Sequence, residues 1–217
     1  LYTSRNILVL IGVLLTVGTK TFSVNFDYRC PFARNANEHV VAALHAGAPF
    51  DVRFSPFSLS VHGDEDREFS VWEDPDRRDE LTALAAGLVV RDRFPEHFLA
   101  AHLSLFAARH DDGEDLRNNA AVRTALERGE VDADLVLKEL EDGWPFETLR
   151  EEHEASVRAY DVWGVPTFIV ADRAVFIRLL TRPTGDPQTS VALIETILSL
   201  ICEHPELNEF KYTTIPN

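Results

Sequence analysis

The plainest chemistry in the chain belongs to Cys30 and the proline behind it, in the stretch DYRCPFAR, Asp27 to Arg34. A thiol at the first turn of a helix faces unpaired backbone N–H groups and the positive end of the helix dipole, and both favour thiolate. Such cysteines titrate below the free-thiol value of about 8.5 and act as nucleophiles. Pro31 suits the first helical position, because the N–H it lacks has no partner there. Phe32 keeps the surroundings apolar. Arg29 and Arg34 are expected to add positive charge, and a strand-to-helix corner is expected to leave the sulfur at the surface. Cys30 is therefore the candidate nucleophile, Pro31 and Phe32 are candidate binding residues, and Tyr28, Arg29 and Arg34 are candidate tuning residues. The plainer alternative is an inert, buried cysteine that ends a strand. Asp27 and Tyr28 either tune the thiol or cap and pack the corner.

The elements that must position this thiol follow from hydropathy patterning. Phe22, Val24 and Phe26 alternate with Ser23, Asn25 and Asp27, the period of two of a strand. Pro31 to His45 reads as a helix, with Val40, Val41 and Leu44 on helical spacing and Gly47 closing it. Phe50 to Phe57 reads as a second strand, which completes a βαβ-sized unit. His62 to Asp79 is acidic and polar and reads as a loop. Helical patterns then run to about Tyr160. Leu81, Leu84, Ala85 and Leu88 form one stripe, and Phe94, Phe98, Ala101, Leu105 and Ala108 form another. Further helices are predicted at Leu116–Glu127, Ala133–Glu141 and Trp144–Tyr160. Thr167–Val170 and Ala174–Arg178 flank Asp172-Arg173 as a hairpin, and Pro187 to Cys202 closes the order as an amphipathic helix.

The order β-α-β, helices, β-β-α predicts an α/β chain: a thioredoxin fold interrupted by a helical insertion of about 80 residues. The thioredoxin-like part takes 20–60 and 161–217, and loop plus insertion take 61–160. In that arrangement GVPTF, Gly164 to Phe168, lies beside Cys30. Val165-Pro166 is a candidate cis peptide, and Val165, Pro166 and Thr167 are candidate substrate- or thiol-binding residues.

Together FDYRCPFAR, the helical stretch and VWGVPTFIV resemble the thioredoxin-like oxidoreductases of the DsbA superfamily. More narrowly the chain is similar to the actinobacterial branch that includes mycothiol-dependent reductases. More distantly it is similar to kappa-class glutathione transferases and hydroxychromene-carboxylate isomerases. ELNEFKYTTIP, Glu206 to Pro216, is similar to the tail of the actinobacterial branch. The resemblance runs from about Thr21 to Asn217 and implies Cys30 as attacking sulfur, Pro166 as cis-proline and the inserted helices as a lid. The departure is Ala33. Family members carry Cys-Pro-x-Cys, whose second thiol releases the substrate, and here the motif reads CPFA. Cys202, beside Ile201 on an apolar-striped helix, is expected to be core. Release from Cys30 then needs an external thiol.

Composition narrows the partners. At 217 residues the chain is one domain with a substantial insertion, and 45% hydrophobic content is enough for a core. A net charge of −15 argues against nucleic acid and anionic membrane. Two distant cysteines do not make a disulfide scaffold, and they fit a cytoplasmic protein with free thiols. His97 and His102 miss the i, i+4 spacing of a helical zinc site, so no metal is expected. No bound cofactor is expected either; mycothiol or glutathione enters as a co-substrate. No Gly-rich phosphate loop, GxSxG elbow or carboxylate pair appears, and Glu151, Glu152 and Glu154 read as a solvated face. Trp72 and Trp163 are expected to pack the core or dock the lid rather than line a cleft. Residues 1–19 are an apolar extension. Its run Ile7–Val17 is shorter than the roughly 20 residues of a membrane span but has the length of a signal-peptide core. It reads as a packed segment or as a signal or anchor, the latter implying an extracytoplasmic location. The protein is expected as a monomer or homodimer.

Three functional readings result. The first is a monothiol, DsbA-like thiol–disulfide oxidoreductase acting on a disulfide or electrophilic substrate. The second is a thiol-dependent isomerase or kappa-type transferase that binds its thiol non-covalently. The third is a non-catalytic binding protein on the same scaffold.

Overall fold

The computed structural model describes residues 18–65 and 67–214. The apolar run Ile7–Val17 lies outside them. Strand β1 (Lys20–Phe26), helix α1 (Pro31–His45) and strand β2 (Phe50–Pro56) form the opening unit. β1 and β2 pair in parallel, from Lys20 opposite Phe50 to Phe26 opposite Pro56, and a parallel pair requires a crossover such as α1. After β2 come five helices: α2 (Thr82–Arg93), α3 (Phe98–His110), α4 (Asn119–Arg128), α5 (Ala133–Glu141) and α6 (Trp144–Tyr160). The hairpin β3 (Thr167–Val170) and β4 (Arg173–Phe176) and the helix α7 (Gln188–Glu203) complete the chain. β3 is antiparallel to both β1 and β4, so the sheet order is β2-β1-β3-β4. This is the thioredoxin arrangement with a helical insertion.

Aromatic side chains join the sheet to the inserted helices. Phe26 meets His102 of α3 edge-on at 4.6 Å, and Phe54 of β2 meets Phe98 at 5.3 Å. Burying each such phenylalanine contributes about 1.5–3 kcal/mol. On the other side Asn25 donates to Ser156 of α6 at 3.3 Å. α7 packs along α1, where His39 meets Ser190 at 2.9 Å.

Several boundaries differ from expectation for local reasons. α4 begins at Asn119 rather than Leu116, because the Asn118 side chain accepts the Ala120 N–H and starts the helix there. The acidic stretch is not uniformly irregular: 3-10 turns occupy Leu59–Gly63 and Pro75–Leu81. The hairpin turns one residue earlier than predicted, at Ala171-Asp172, with Val170 paired to Arg173 and Ala171 at φ 53°. Cys202 is exposed, not core. It sits in the last turn of α7, past Ile201, the last buried residue of that helix.

Candidate functional site

β1 ends at Phe26, and a short corner carries the chain into α1. Asp27 sets that corner. Its side chain is almost wholly buried and accepts the backbone N–H groups of Arg29 at 2.9 Å and Leu59 at 2.8 Å, while its backbone carbonyl accepts Cys30 N–H at 3.0 Å. One carboxylate thus joins the corner to the loop after β2. Cys30 is the N-cap of α1, with extended backbone and a sulfur that accepts the Ala33 N–H at 3.4 Å.

The sulfur is not at the surface: Cys30 is only 8% exposed. The expected fall in its pKa is also reversed. Burial pushes the thiol up, and the nearby Asp27 charge adds to this; the backbone N–H groups of Ala33 and Phe32, and Arg178, pull the other way without prevailing. The helix terminus acts as expected, but desolvation outweighs it.

The two arginines expected to favour the thiolate have other partners. Arg29 pairs with Asp27 at 3.0 Å. Arg34 is buried, donates to Glu38 at 2.7 Å and also reaches Asp111, while Arg182 closes the cluster on Glu38 at 2.6 Å. That cluster ties α1 to the end of α3 and to the segment after β4, and its positive charge is balanced by carboxylates. The cation that does act on Cys30 is Arg178, which nothing in the local sequence picks out.

Tyr28 points into the core, not at the thiol. Its hydroxyl meets His102 Nδ1 at 3.0 Å, His102 Nε2 meets Asn37 Oδ1 at 3.1 Å, and Asn37 donates to the Ala33 carbonyl at 2.8 Å. Burial lowers the His102 pKa to about 3, so the ring is neutral. A neutral ring accepting at Nδ1 and donating from Nε2 satisfies every member of this chain. Gly87 of α2 leaves room for the tyrosine, because a Cβ there would collide with the Tyr28 hydroxyl. Tyr28 is a packing residue.

Across from Cys30 lies the loop before β3. The Val165–Pro166 peptide is cis. The Cys30 S–H donates to the Val165 carbonyl at 3.4 Å, so the fold brings Cys30 and Val165 together from opposite ends of the chain. The Thr167 hydroxyl donates to Gly164 O at 2.7 Å, closing the turn. Ile177 N–H donates to Pro166 O at 3.0 Å and continues the β3–β4 pairing beyond the strands.

Trp163 is neither core nor lid dock. It is 64% exposed and lies 4.5 Å from Phe176. Trp72 does dock, against His153 of α6 at 5.3 Å. An open cleft of about 830 Å³, lined by Phe50, Arg53, Phe98 and Glu152 among others, does not include Cys30, Pro166 or either tryptophan.

Ala33 is fully buried and occupies the first-turn position of a second thiol. Cys202 does not approach Cys30. Its carbonyl accepts from Arg173 at 3.1 Å, at the turn end of the hairpin, whereas Cys30 adjoins Val165 before the other end of β3. The five residue-to-residue steps from Val165 to Val170 span about 17 Å at strand spacing. Among the described residues no group of three or more His, Cys, Asp or Glu side chains gathers as a metal site, and no helix is long and apolar enough to cross a membrane.

A parallel βαβ unit, a returning hairpin and a cysteine N-cap facing a cis X-Pro loop define a thioredoxin-like protein. The chain belongs to the DSBA-like thioredoxin domain family, whose pattern matches residues 21–180. Solved structures of similar fold include Pseudomonas aeruginosa DsbA, 18% identical, with TM-score 0.52 over 84% of this chain and 83% of that one. MdbA, a thiol-disulfide oxidoreductase from Actinomyces oris, is 16% identical with TM-score 0.52 over 80% of each chain. A 2-hydroxychromene-2-carboxylate isomerase is 14% identical with TM-score 0.57 over 87% of this chain and all of that one. No curated protein sequence matches this chain.

Proposed function

We propose that this protein is a DsbA-like thiol–disulfide oxidoreductase that works through one cysteine, Cys30, with a small thiol of the mycothiol or glutathione type as the resolving partner. The observation that supports it best is Cys30 itself: a helix N-cap thiol receiving the Ala33 N–H, held against Val165 O, with alanine where a resolving thiol would stand. The Cys30 thiolate attacks one sulfur of a disulfide, the S–S bond breaks, the other half leaves as a thiolate, and a mixed disulfide remains on the protein. A second small thiol then attacks that bond and frees Cys30. Pro31, Phe32, Val165, Pro166 and Thr167 are the proposed partner-binding residues, with Pro31 exposed and Phe32 half-buried at the helix entry and the other three buried.

The test is trapping. Native protein is mixed with an excess of disulfide, and the adduct is located by peptide mass spectrometry. The expected result is one small-thiol adduct on Cys30 that added thiol removes, with disulfide reduction lost in Cys30→Ser and kept in Cys202→Ser. Turnover that persists in Cys30→Ser overturns the reading.

One observation favours a second reading. The thiol is held towards its protonated state and donates to Val165 O, which suits a hydrogen-bond donor to a non-covalently bound thiol, as in a thiol-dependent isomerase or transferase. Activity that needs added thiol yet leaves no adduct on Cys30 selects it.

A further inference from the structure

Arg178 follows β4, and both of its neighbours are fixed. Before it, Ile177 N–H is bonded to Pro166 O at 3.0 Å; after it, the Leu179 carbonyl accepts Asn35 Nδ2 of α1 at 2.9 Å. Further on, His39 meets Thr181 O at 3.2 Å, and Glu38 binds Arg182. Asn35, Glu38 and His39 therefore pin this segment along α1. Continuing the hairpin register past Thr167↔Phe176 sets Arg178 opposite Val165, whose carbonyl receives the Cys30 thiol. The guanidinium carbon lies 4.8 Å from the centre of the Phe32 ring and 5.8 Å from that of Phe176, and Phe176 in turn meets Trp163.

Arg178, like exposed Arg78 over Phe146, stands apart from the arginines that carboxylates hold. In a chain of net charge −15, Arg29, Arg34, Arg77 and Arg91 are all bound to carboxylates. Arg178 makes no ion pair and donates no hydrogen bond among the described residues, and it is exposed. A guanidinium held over aromatic rings without a carboxylate partner keeps N–H donors for bidentate binding of a carboxylate. Its charge draws the Cys30 thiol towards the charged form, in keeping with its place opposite Val165.

We infer that Arg178 is the specificity residue of the Cys30 site, selecting small disulfides that carry a carboxylate and seating that carboxylate over the Phe32–Phe176 ledge beside the attacking sulfur. The inference rests on the exchange reading above. In the step, Cys30 thiolate forms a bond to one sulfur of R–S–S–R, the S–S bond breaks, and R–S⁻ leaves and takes a proton from water. Cys30 is oxidised to the mixed disulfide as half of the reagent is reduced to thiol. Arg178 holds the carboxylate of the half that stays on the protein.

The test uses the Cys202→Ser chain with three disulfides: dithiodipropionate (anionic), hydroxyethyl disulfide (neutral) and cystamine (cationic). Adduct formation on Cys30 is timed with Arg178, Arg178→Gln and Arg178→Lys. The quantity read is the anionic-to-neutral rate ratio, from which thiolate fraction cancels because one thiolate attacks both reagents. Arg178→Gln is expected to lower that ratio about fivefold, the upper end for an exposed ion pair. It should also relieve discrimination against cystamine, and Arg178→Lys should restore part of the ratio. A ratio unchanged in Arg178→Gln, or neutral and anionic rates that fall together, overturns the inference while leaving exchange at Cys30 intact. Silence of Cys30 towards all three reagents overturns the exchange reading and this inference with it.

Discussion

The two cysteines of this chain stand at opposite kinds of helix end. Cys30 caps the N-terminus of α1, where its sulfur receives a backbone N–H, yet it is buried between that helix and the Val165 carbonyl. Cys202 lies in the last turn of α7, where the free backbone groups are carbonyls, and it is open to solvent. Exposure and backbone N–H donation are thus separated in one molecule. The accessible thiol has no donor array, and the thiol with donors is held back by desolvation. A reactive cysteine is made by what surrounds the sulfur, not by its reach into solvent.

The comparison breaks most completely if a second thiol is restored beside the first. Ala33 occupies the first-turn site, one helical turn from Cys30, at a Cα separation compatible with a disulfide. Ala33→Cys is expected to form an internal disulfide between Cys30 and the introduced thiol and to abolish accumulation of the small-thiol adduct, as read by intact mass. Persistence of the adduct at its original level would show that the new thiol cannot reach the sulfur.

A smaller effect is expected from the packing beneath the corner. Gly87→Ala drives a methyl group into the Tyr28 hydroxyl and disturbs the Tyr28–His102–Asn37 chain that ends on the Ala33 carbonyl. Overpacking of this kind costs about 1–3 kcal/mol, measurable by urea unfolding. Labelling of Cys202 in the native state should not change, because α7 is not part of that chain. An unaltered unfolding midpoint would mean that the tyrosine has room to move.

The smallest and most discriminating effect is on pH. Burial and Asp27 disfavour the charged sulfur of Cys30, so its thiolate forms only as pH rises beyond the ordinary free-thiol range of about 8.5. Alkylation of the folded protein, followed at each cysteine by peptide mass spectrometry, should show Cys30 slow at neutral pH and accelerating above that value, with exposed Cys202 labelled first. A Cys30 midpoint well below about 8.5 would mean that the helix N-terminus outweighs desolvation after all.

Much of the scaffold was legible because it is encoded locally. Pro31–His45, Ala133–Glu141 and Trp144–Tyr160 form helices with the ends that their periodicity and flanking residues predict. The β-α-β and β-β-α order was readable from alternation in the strands, helical spacing in the helices and the Pro and Gly at their ends. The site was legible only in part. Cys30 announces itself by the proline behind it, and GVPTF by its place before a strand. Arg178, His102, Asn37 and the Asp27 clamp carry no local signal, since their partners lie far away along the chain. Arg29 and Arg34 misled for the same reason: an arginine near the cysteine in sequence says nothing of the carboxylate that claims it.

Neighbouring residues and periodicity were enough to set the order of elements, the helix entry at Cys30-Pro31 and the alanine in place of a second thiol. Which charge faces the sulfur, how far the thiol is desolvated and which cysteine is exposed were settled only by folding. Burial and electrostatics are set by groups that the fold brings together across the sheet: Val165 and Arg178 from the hairpin against α1, and Asp27 bridging to Leu59. Those pairings exist only once the chain has closed on itself.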